Sequence, residues 1–338
     1  MEDKGFKLKQ IPIERGRINP LKDLISLYYI WNFFKDERPD IVHLVTIKPY
    51  LYGGIIARLT GVPCLVSAVS GLGSLFISKN LKSRFLRLIL YPFFKIAFGH
   101  LNQKIIFQNK DDSKVFEDWG VLNFFKVQLL KGSGVKLENF NQYNNEPVGM
   151  PVICFAARLI KEKGINEFIN AAKILHERKI KARFLLAGDL DINNPSSINQ
   201  NDLDKIKREA YVEVLGYHKN IEKLYNMSHI ICLPSYREGF PKSLIEAAAA
   251  GRAVVTTDVP GCRDAIIPNK TGLLVPVQNS KKLADALQWL IEHPEDRLMM
   301  GQAGRKFAEK EFAIEKIVQH HLEIYEELLE NKSFTKTI

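Results

Sequence analysis

Short apolar segments rich in β-branched residues alternate with longer segments of helical periodicity along this chain, and the alternation occurs twice. The longer segments space their apolar residues three and four positions apart, as at 20–37 and 280–293. The short segments are apolar throughout, which is typical of parallel strands whose sheet is covered on both faces. In chain order they read IVHLVTI, CLVSAVS, KIIFQN, VQLL, PVICFAA, ARFLLAG, VEVLG, HIICLP, AVVTT and GLLVP. The sequence therefore predicts an α/β fold with two domains, each built on a mostly parallel sheet.

A polar segment separates the two sets of strands. Residues 138–150 read ENFNQYNNEPVGM, and this mixture of asparagines, a proline and a glycine is typical of a linker. We therefore expect a first domain over 1–145 and a second domain over 146–312. Residues 313–338 are expected to form a C-terminal helix that crosses back to the first domain. The length of 338 residues agrees with a count of two domains.

The net charge of +10 is concentrated in the first half of the chain. Residues 1–148 hold 21 lysines and arginines against 13 aspartates and glutamates, whereas the remainder holds 27 against 25. Within that half, LKSRFLRLILYPFFKIAF at 81–98 carries four cations, five aromatic residues and no acid. This combination predicts a helix that contacts an anionic membrane surface, and the alternative is a core helix with a charged outer edge. Nucleic-acid binding is suggested by charge alone, and we expect no nucleic-acid partner because no recognised module is present.

The chain has no run of eighteen uncharged apolar residues, and its first 24 residues are too charged for a signal peptide. We therefore expect a cytoplasmic protein, located at the inner face of the membrane. The four cysteines, Cys64, Cys154, Cys232 and Cys262, include no pair with CxxC spacing. We interpret them as small core residues in a reducing compartment rather than as metal or redox ligands.

Polar residues and glycines follow five of the predicted strands of the second half. These positions are Arg158, Gly188 with Asp189, Gly216 with Tyr217, Glu238, and DVPG at 258–261. Ligands of open parallel sheets bind in the crevice beyond the carboxyl ends of the strands. The convergence of five strand ends predicts a ligand site along this edge of the second sheet.

The segment ARLIKEKG places Arg158 and Lys163 between a strand and the start of a helix. Helix-start amides carry partial positive charge, and two cations beside them suit an anionic ligand. Arginine can bind two phosphate oxygens at once, while lysine adds a mobile point charge. The alternative is a solvated basic turn.

The segment REGFPKSLIE places two glutamates eight positions apart. Gly239 is expected where the backbone passes close to a neighbour, and Pro241 suits the start of a helix whose first amides, at Lys242, Ser243 and Leu244, form a second anion site. Glu246, one turn into the helix, suits a ribose diol, and Glu238 on the loop suits a second polyol. The pattern describes a nucleotide-sugar. The alternative is a surface acid followed by a structural one.

These motifs resemble those of the retaining, nucleotide-sugar-dependent glycosyltransferases of family four, which have the GT-B fold. EGFPKSLIE is similar to the E-x7-E element of that family, and ARLIKEKG is similar to its phosphate-binding segment. The segments GSGVKLENF, AAGRAVVTTDVPGCRDAI and NKTGLLVPV also resemble family patterns. The resemblance extends from about residue 10 to residue 325, and it implies two Rossmann-like domains that face each other across a cleft.

The resemblance also implies a role for each matching residue. Arg158 and Lys163 would bind the diphosphate and Glu238 would contact the donor sugar, so these three are the expected catalytic residues. The expected donor-binding residues are Glu246 at the ribose, the backbone from Gly239 and Phe240 to Ser243 and Leu244, and Gly216 with Tyr217 near the base. The family needs no metal and no cofactor, because cationic side chains and helix dipoles stabilise the departing charge.

Two features depart from the family pattern. Relatives open with a strand, a glycine-rich loop and a helix before a segment like FKLKQIPIERGRINPL, so the first domain is expected to lack its first strand-loop-helix. Many relatives also have a histidine where this chain has Ser70, so no catalytic histidine is assigned. The acceptor-side candidates are His43, Ser70 and Gly71, and the alternative for His43 is a hydrogen-bonded structural histidine. HLVTIKP, VSGLG and FQNKDD resemble relatives that act on lipid-linked sugars.

The expected activity is transfer of a hexose-type sugar, with retention, from a nucleoside-diphosphate sugar to a glycan or polyprenyl-linked acceptor in envelope polysaccharide or lipopolysaccharide biosynthesis. The two glutamates do not suit a hydrolase, which needs both carboxylates flanking one bond. The alternatives are a nucleotide-sugar epimerase, a phosphorylase with lysine-bound pyridoxal phosphate, and an inactive or donor-binding truncated relic. The base, the sugar, the acceptor and the oligomeric state are not determined at this level.

Overall fold

The computed structural model describes residues 5–14, 19–72, 76, 80–140, 146–194, 196–209 and 211–335, with side chains as far as Lys332. The described chain forms two compact units. The first unit contains the residues up to Leu129 together with those from His320 onwards, and the second unit contains Leu130–Gln319.

The first unit has a four-stranded parallel sheet in the order β1-β2-β3-β4. Its strands are β1 (Ile41–Val45), β2 (Cys64–Val69), β3 (Gln103–Phe107) and β4 (Val127–Leu129). Its helices are α1 (Pro20–Glu37), α2 (Ile47–Thr60), α3 (Leu81–Ala97) and α4 (Lys110–Asp118). Within the described residues β1 forms one edge of this sheet, and no strand precedes it.

Helix α2 packs between α1 and α3. Gly54 of α2 allows the close approach to α3, since a Cβ there would lie 3.0 Å from the Ala97 backbone, while the adjacent Gly53 faces the Leu44 side chain of β1. An aromatic cluster then joins α3 to α4, in which the rings of Phe94 and Phe116 lie 5.7 Å apart and both contact Trp119. This cluster forms much of the core of the first unit.

The second unit has a six-stranded parallel sheet in the order β10-β9-β8-β5-β6-β7. Its strands are β5 (Val152–Ala156), β6 (Arg183–Ala187), β7 (Glu213–Gly216), β8 (Ile230–Leu233), β9 (Ala253–Thr257) and β10 (Gly272–Val275). The chain runs outward from β5 to β7, returns to the other side of β5, and runs outward again from β8. The order therefore reverses between β5 and β8, which is the topological switch point of a Rossmann-like sheet.

Helices complete the second unit. They are α5 (Ile165–Glu177), α6 (Gln200–Glu209), α7 (Ile221–Asn226), α8 (Lys242–Ala249), α9 (Ser280–Glu292), α10 (Pro294–Glu311) and the start of α11 (Ile314–Thr335). Buried residues of β5, β8 and β9 form the centre of the core, and α5, α8 and α9 pack around them. The expected α/β fold with two parallel sheets is confirmed.

The units divide at Leu129 and Leu130, whereas the linker composition placed a boundary at residue 145. The segment before the polar stretch belongs to the second unit because it is bonded there. The Val135 amide donates to the Phe312 carbonyl at 2.8 Å, and the Ile314 amide donates to the Val135 carbonyl at 3.0 Å. Residues 141–145, at the end of the expected first domain, lie outside the described residues.

His43 lies in the middle of β1 and packs against α11 within the first unit. Its Nδ1 is 2.6 Å from the hydroxyl of Tyr325, and its ring stacks on His321 at 5.6 Å. Burial, with a smaller contribution from the charge of His321, lowers the pKa of His43 to about 4. The unfolded chain therefore protonates this histidine at a higher pH than the folded protein does.

We predict that this difference makes the free energy of unfolding pH-dependent. The contribution of His43 is complete above the ordinary pKa of 6.5 and declines as the pH falls through that value towards about 4. We expect a loss of about 2 kcal/mol across this window after allowance for solvent screening. Urea denaturation at pH 4 to 7 gives the free energy of unfolding of the parent protein and of His43→Gln. The difference between the two pH profiles measures the contribution of His43.

His176→Gln is the control, because that histidine is exposed in the second unit and should leave the pH profile unchanged. A His43→Gln profile as steep as that of the parent would contradict the assignment.

Candidate functional site

Most of the residues that sequence analysis selected in the second unit lie on loops at the carboxyl ends of its strands, and Ser243, Leu244 and Glu246 lie on the helix α8. The turn Lys161–Lys163 follows β5, the REGFP loop follows β8, and the segment 258–261 follows β9. Strands β5 and β8 are hydrogen-bonded neighbours, so their two loops emerge side by side at the switch point.

Lys163 and Glu238 form an ion pair between the first two of these loops, through the lysine Nζ and the glutamate Oε1. Both side chains are largely buried. The hydroxyl of Ser235 donates a second hydrogen bond to the same Glu238 oxygen at 2.6 Å. A partly buried, hydrogen-bonded ion pair has a defined geometry, and removing one partner leaves the other uncompensated. The structure thus brings together two of the three expected catalytic residues.

Arg158 lies nearby in sequence but has a different partner. Its Nη1 contacts Asp191 Oδ2 at 2.5 Å, and its side chain remains 63% exposed. Asp191 belongs to the polar segment after β6, where its amide donates to the Ser197 hydroxyl at 3.0 Å. Exposed ion pairs of this kind are weak, so the guanidinium can exchange Asp191 for an anionic ligand at little cost.

Glycines permit backbone approaches in these loops that no side chain would allow. A Cβ on Gly164 would lie 2.1 Å from the Pro234 carbonyl oxygen, and one on Gly188 would lie 1.9 Å from that of Ala157. At Gly261, with φ of +78°, it would lie 2.5 Å from the carbonyl oxygen of Glu238. The Glu238 amide also donates to Pro260 at 3.2 Å. The loop after β9 therefore holds the backbone of Glu238 in place.

Glu246 lies in the second turn of α8 and is only partly exposed. Burial raises the pKa of its carboxyl group, while Lys242, whose Nζ lies 3.4 Å away, acts in the opposite direction. A carboxylate in this setting gains from hydroxyl donors, which a diol would supply. Ser243 lies one turn earlier on the same helix.

The side chains of Phe240 and Leu244 point into the core, whereas the expectation for these two positions concerned their backbone. The Phe240 ring is buried against Phe312, with 5.5 Å between centroids, and Leu244 is fully buried in the core. The Leu244 amide also donates to the Pro241 carbonyl at 3.1 Å, so it is not one of the free helix-start donors. These two side chains anchor the loop, and the remaining amides of the first turn, at Lys242 and Ser243, have no acceptor within the helix.

Gly216 and Tyr217 lie at the carboxyl end of β7, the edge strand of the sheet. The Gly216 carbonyl accepts from the Gly188 amide at 2.8 Å, which ties this loop to the one after β6. The Tyr217 side chain is 72% exposed and available for a ligand.

The three acceptor-side candidates belong to the first unit and do not share one location. Ser70 is exposed directly after β2, and Gly71 has a φ of +129°. His43, in contrast, lies inside β1 and is engaged by α11 as described above. Its position matches the structural alternative, because a mid-strand side chain faces the covering helix and not the strand ends.

Ser235, Tyr236 and Asp191 are site residues that sequence reasoning missed. The Tyr236 hydroxyl donates to both oxygens of Glu167, at 2.9 and 3.0 Å, which anchors the loop to α5. The sequence could have indicated these three residues by their position, since each follows a predicted strand by at most four residues. In the described part of the chain no group of three or more potential metal ligands occurs, and all four cysteines are buried thiols.

The fold defines a class. Two parallel-sheet α/β units of this kind are the arrangement of GT-B glycosyltransferases. Among solved structures, Anabaena Alr3699/HepE in complex with UDP has the same fold, with a TM-score of 0.72, 17% identity, and coverage of 89% of this chain and 82% of that one.

The chain belongs to the family described as Glycosyl transferases group 1, whose model matches residues 137–307. A second model, Glycosyl transferase 4-like, matches residues 2–109. A curated relative from Campylobacter jejuni, N,N'-diacetylbacillosaminyl-diphospho-undecaprenol alpha-1,3-N-acetylgalactosaminyltransferase, is 28% identical over 98% of this chain and 88% of its own length. The capsular polysaccharide biosynthesis glycosyltransferase CapM of Staphylococcus aureus is 30% identical over 91% of this chain and 84% of its own length. The chain is therefore a glycosyltransferase.

We predict that Gly261→Ala destabilises the protein and displaces the Glu238 loop. The new methyl group would be strained at positive φ and would overlap the Glu238 carbonyl, for a combined cost of about 3 kcal/mol. Gly61→Ala is the matched control, since Gly61 has a φ of +71° but nothing within 4 Å of its Cβ position. The free energy of unfolding in urea should fall less for the control, and equal losses would show that the overlap is relieved without cost.

Proposed function

We propose that this glycosyltransferase moves a hexose-type sugar from a nucleoside-diphosphate sugar to a polyprenyl-linked glycan in envelope polysaccharide biosynthesis. The observation that carries the proposal is the Ser235–Glu238–Lys163 group at the switch point, next to the start of α8. It offers a cation and helix-start amides to a diphosphate, and a carboxylate to a sugar. The relatives from C. jejuni and S. aureus, and the UDP held by HepE, support this choice.

In the proposed step, the bond between the anomeric carbon and the diphosphate oxygen breaks, and a bond to the acceptor oxygen forms on the same face of the sugar. The proton of the acceptor hydroxyl passes to the departing phosphate oxygen. Lys163 and Arg158 stabilise the negative charge that develops on that oxygen, which is the contribution a metal makes in other enzymes. Glu238 orients the sugar, and Glu246 accepts hydrogen bonds from the ribose diol.

Each of the two cations pairs with a carboxylate. Asp191 pairs with Arg158, and Glu238 pairs with Lys163. A diphosphate can replace both, because its two linked anionic phosphate groups match the charge of the two carboxylates and can accept hydrogen bonds from both cations at once. Glu238 would then be released from Lys163 and could interact with the hydroxyl groups of the sugar.

The first test is thermal unfolding with UDP, GDP and their sugars. A ligand that binds only the folded protein raises the midpoint, and one nucleotide should do so more than the other. The nucleotide-sugar that raises the midpoint most is then the donor in a transfer assay, with a polyprenyl-diphosphate sugar as the acceptor. Turnover of the donor without acceptor would favour the epimerase alternative, and a cooperative transition that no nucleotide shifts would favour the relic.

We predict that Glu246→Gln weakens nucleotide binding by about tenfold, because an amide accepts weaker hydrogen bonds from the diol than a carboxylate does. Isothermal titration calorimetry, with the nucleotide that shifts the unfolding midpoint most, measures the dissociation constant. The control is Glu177→Gln, an exposed change at the end of α5 that should have no effect. An unchanged affinity for Glu246→Gln would place the ribose elsewhere.

We further propose that the first unit contacts an anionic membrane surface through α3. One face of this helix buries Phe94 and Ala97, yet the opposite face is also apolar, with Phe85 65% and Leu88 71% exposed. The exposed large apolar side chains of α3 are Leu81, Phe85, Leu88, Ile89, Phe93 and Ile96. Lys82, Arg84 and Lys95 flank them without any acid, as anionic lipid requires.

Helix α1 also has an exposed apolar face opposite its buried face. Its exposed large apolar residues are Leu21, Leu24, Ile25, Tyr28 and Tyr29, which recur at helical spacing on the face opposite to buried Ile30 and Phe34. Because α1 and α3 both pack on α2, their outer faces belong to one helical layer. No helix in the described part of the chain is long and apolar enough to span a membrane.

We predict that the double change Phe85→Ser and Leu88→Ser lowers binding to vesicles of anionic phospholipid by about tenfold or more, since each side chain loses its apolar burial. Cosedimentation at low and at physiological salt measures the binding, which should also weaken with salt. The control is Ile192→Ser, at a side chain that is 89% exposed in the second unit. Equal binding of the double variant and the control would exclude α3 as the contact.

A further inference from the structure

Ser235 is held rigidly beneath the catalytic loop. It lies two residues after β8 and is fully buried. Its carbonyl oxygen accepts a hydrogen bond from the hydroxyl of Thr257, and the neighbouring Thr256 hydroxyl donates to the Leu233 carbonyl at 2.7 Å. Two side chains of β9 therefore fix the end of β8, and with it the position of the serine hydroxyl.

Glu238 Oε1 receives two donors of different mobility. The Lys163 ammonium group stands on a flexible four-carbon chain that starts from a short turn, whereas the Ser235 hydroxyl stands on a single carbon in the core. A hydrogen bond to a carboxylate is charge-assisted and directional, so the serine alone can define where this oxygen points.

We propose that Ser235 is a positioning residue for Glu238, an inference that rests on the proposed function. The diphosphate of the donor draws Lys163 away from Glu238, and this exchange breaks the Lys163–Glu238 ion pair. Ser235 keeps its hydrogen bond to Glu238, because its own backbone is tied to β9. The carboxylate is thereby held towards the donor sugar at the moment when the lysine engages the phosphates.

The test compares Ser235→Ala with Ser228→Ala in the full-length protein. Ser228 is a matched control, since it is also fully buried and donates a hydrogen bond, at 2.7 Å to the Leu224 carbonyl, but does not contact Glu238. Both variants should lose similar amounts of thermal stability. Only Ser235→Ala should lower kcat for sugar transfer, by about 10- to 100-fold, because small misplacements of an orienting group have effects of that size.

The affinity for the free nucleotide, UDP or GDP as selected by thermal unfolding, should stay within about twofold of the parent, since that ligand lacks the sugar. Ser235→Cys provides a second variant of similar shape with a weak donor, and it should lower kcat in the same direction if Ser235→Ala does not fold.

An unchanged kcat in a folded Ser235 variant overturns the inference, and so does a loss of kcat equal to that of Ser228→Ala. A loss of nucleotide affinity as large as the loss of kcat would also overturn it, because it would show a general distortion of the site. Failure of the parent protein to transfer sugar from any nucleotide-sugar overturns the proposed function itself, and this result is distinct from an active parent with an unaffected variant.

Discussion

The reversal of strand order between β5 and β8 is the constraint on which the site depends. The chain leaves β5 in one direction and returns to its other side, so the loops after these two strands diverge and leave a crevice at the carboxyl edge of the sheet. Lys163 comes from one of these loops and Glu238 from the other. Gly164 packs against the end of β8 where a side chain could not fit, which brings the loops close enough for the ion pair to form.

The charges of the crevice are balanced within the protein, since each of the two cations pairs with a carboxylate. Unpaired cations in a partly buried site would be costly, and carboxylates from neighbouring loops remove that cost. The two pairs are unequal, since Arg158 with Asp191 is exposed while Lys163 with Glu238 is largely buried. The proposed diphosphate would therefore replace one weak ion pair and one stronger ion pair.

A motif does not show which way its side chains point. Phe240 and Leu244 lie inside the motif that binds the donor in the family, yet both side chains are in the core and hold the loop from behind. His43 has the chemistry of an acceptor-side base but packs under α11, from a segment almost three hundred residues away in sequence. The outward apolar face of α1 was likewise hidden, because helical periodicity shows amphipathic faces only when the outer face is polar.

The sequence by itself determined the two parallel-sheet units, the strand ends at which the site lies, and the residue types that suit a diphosphate and a polyol. These follow from local rules, since apolar strand segments, helix starts and glycines each act on their immediate neighbours in the chain. Only the tertiary structure decided that Lys163 pairs with Glu238 while Arg158 pairs with Asp191, and that Ser235 supports the glutamate. Those pairings join residues from separate strands, and their geometry depends on strand order and on backbone approaches between loops, which no local pattern encodes.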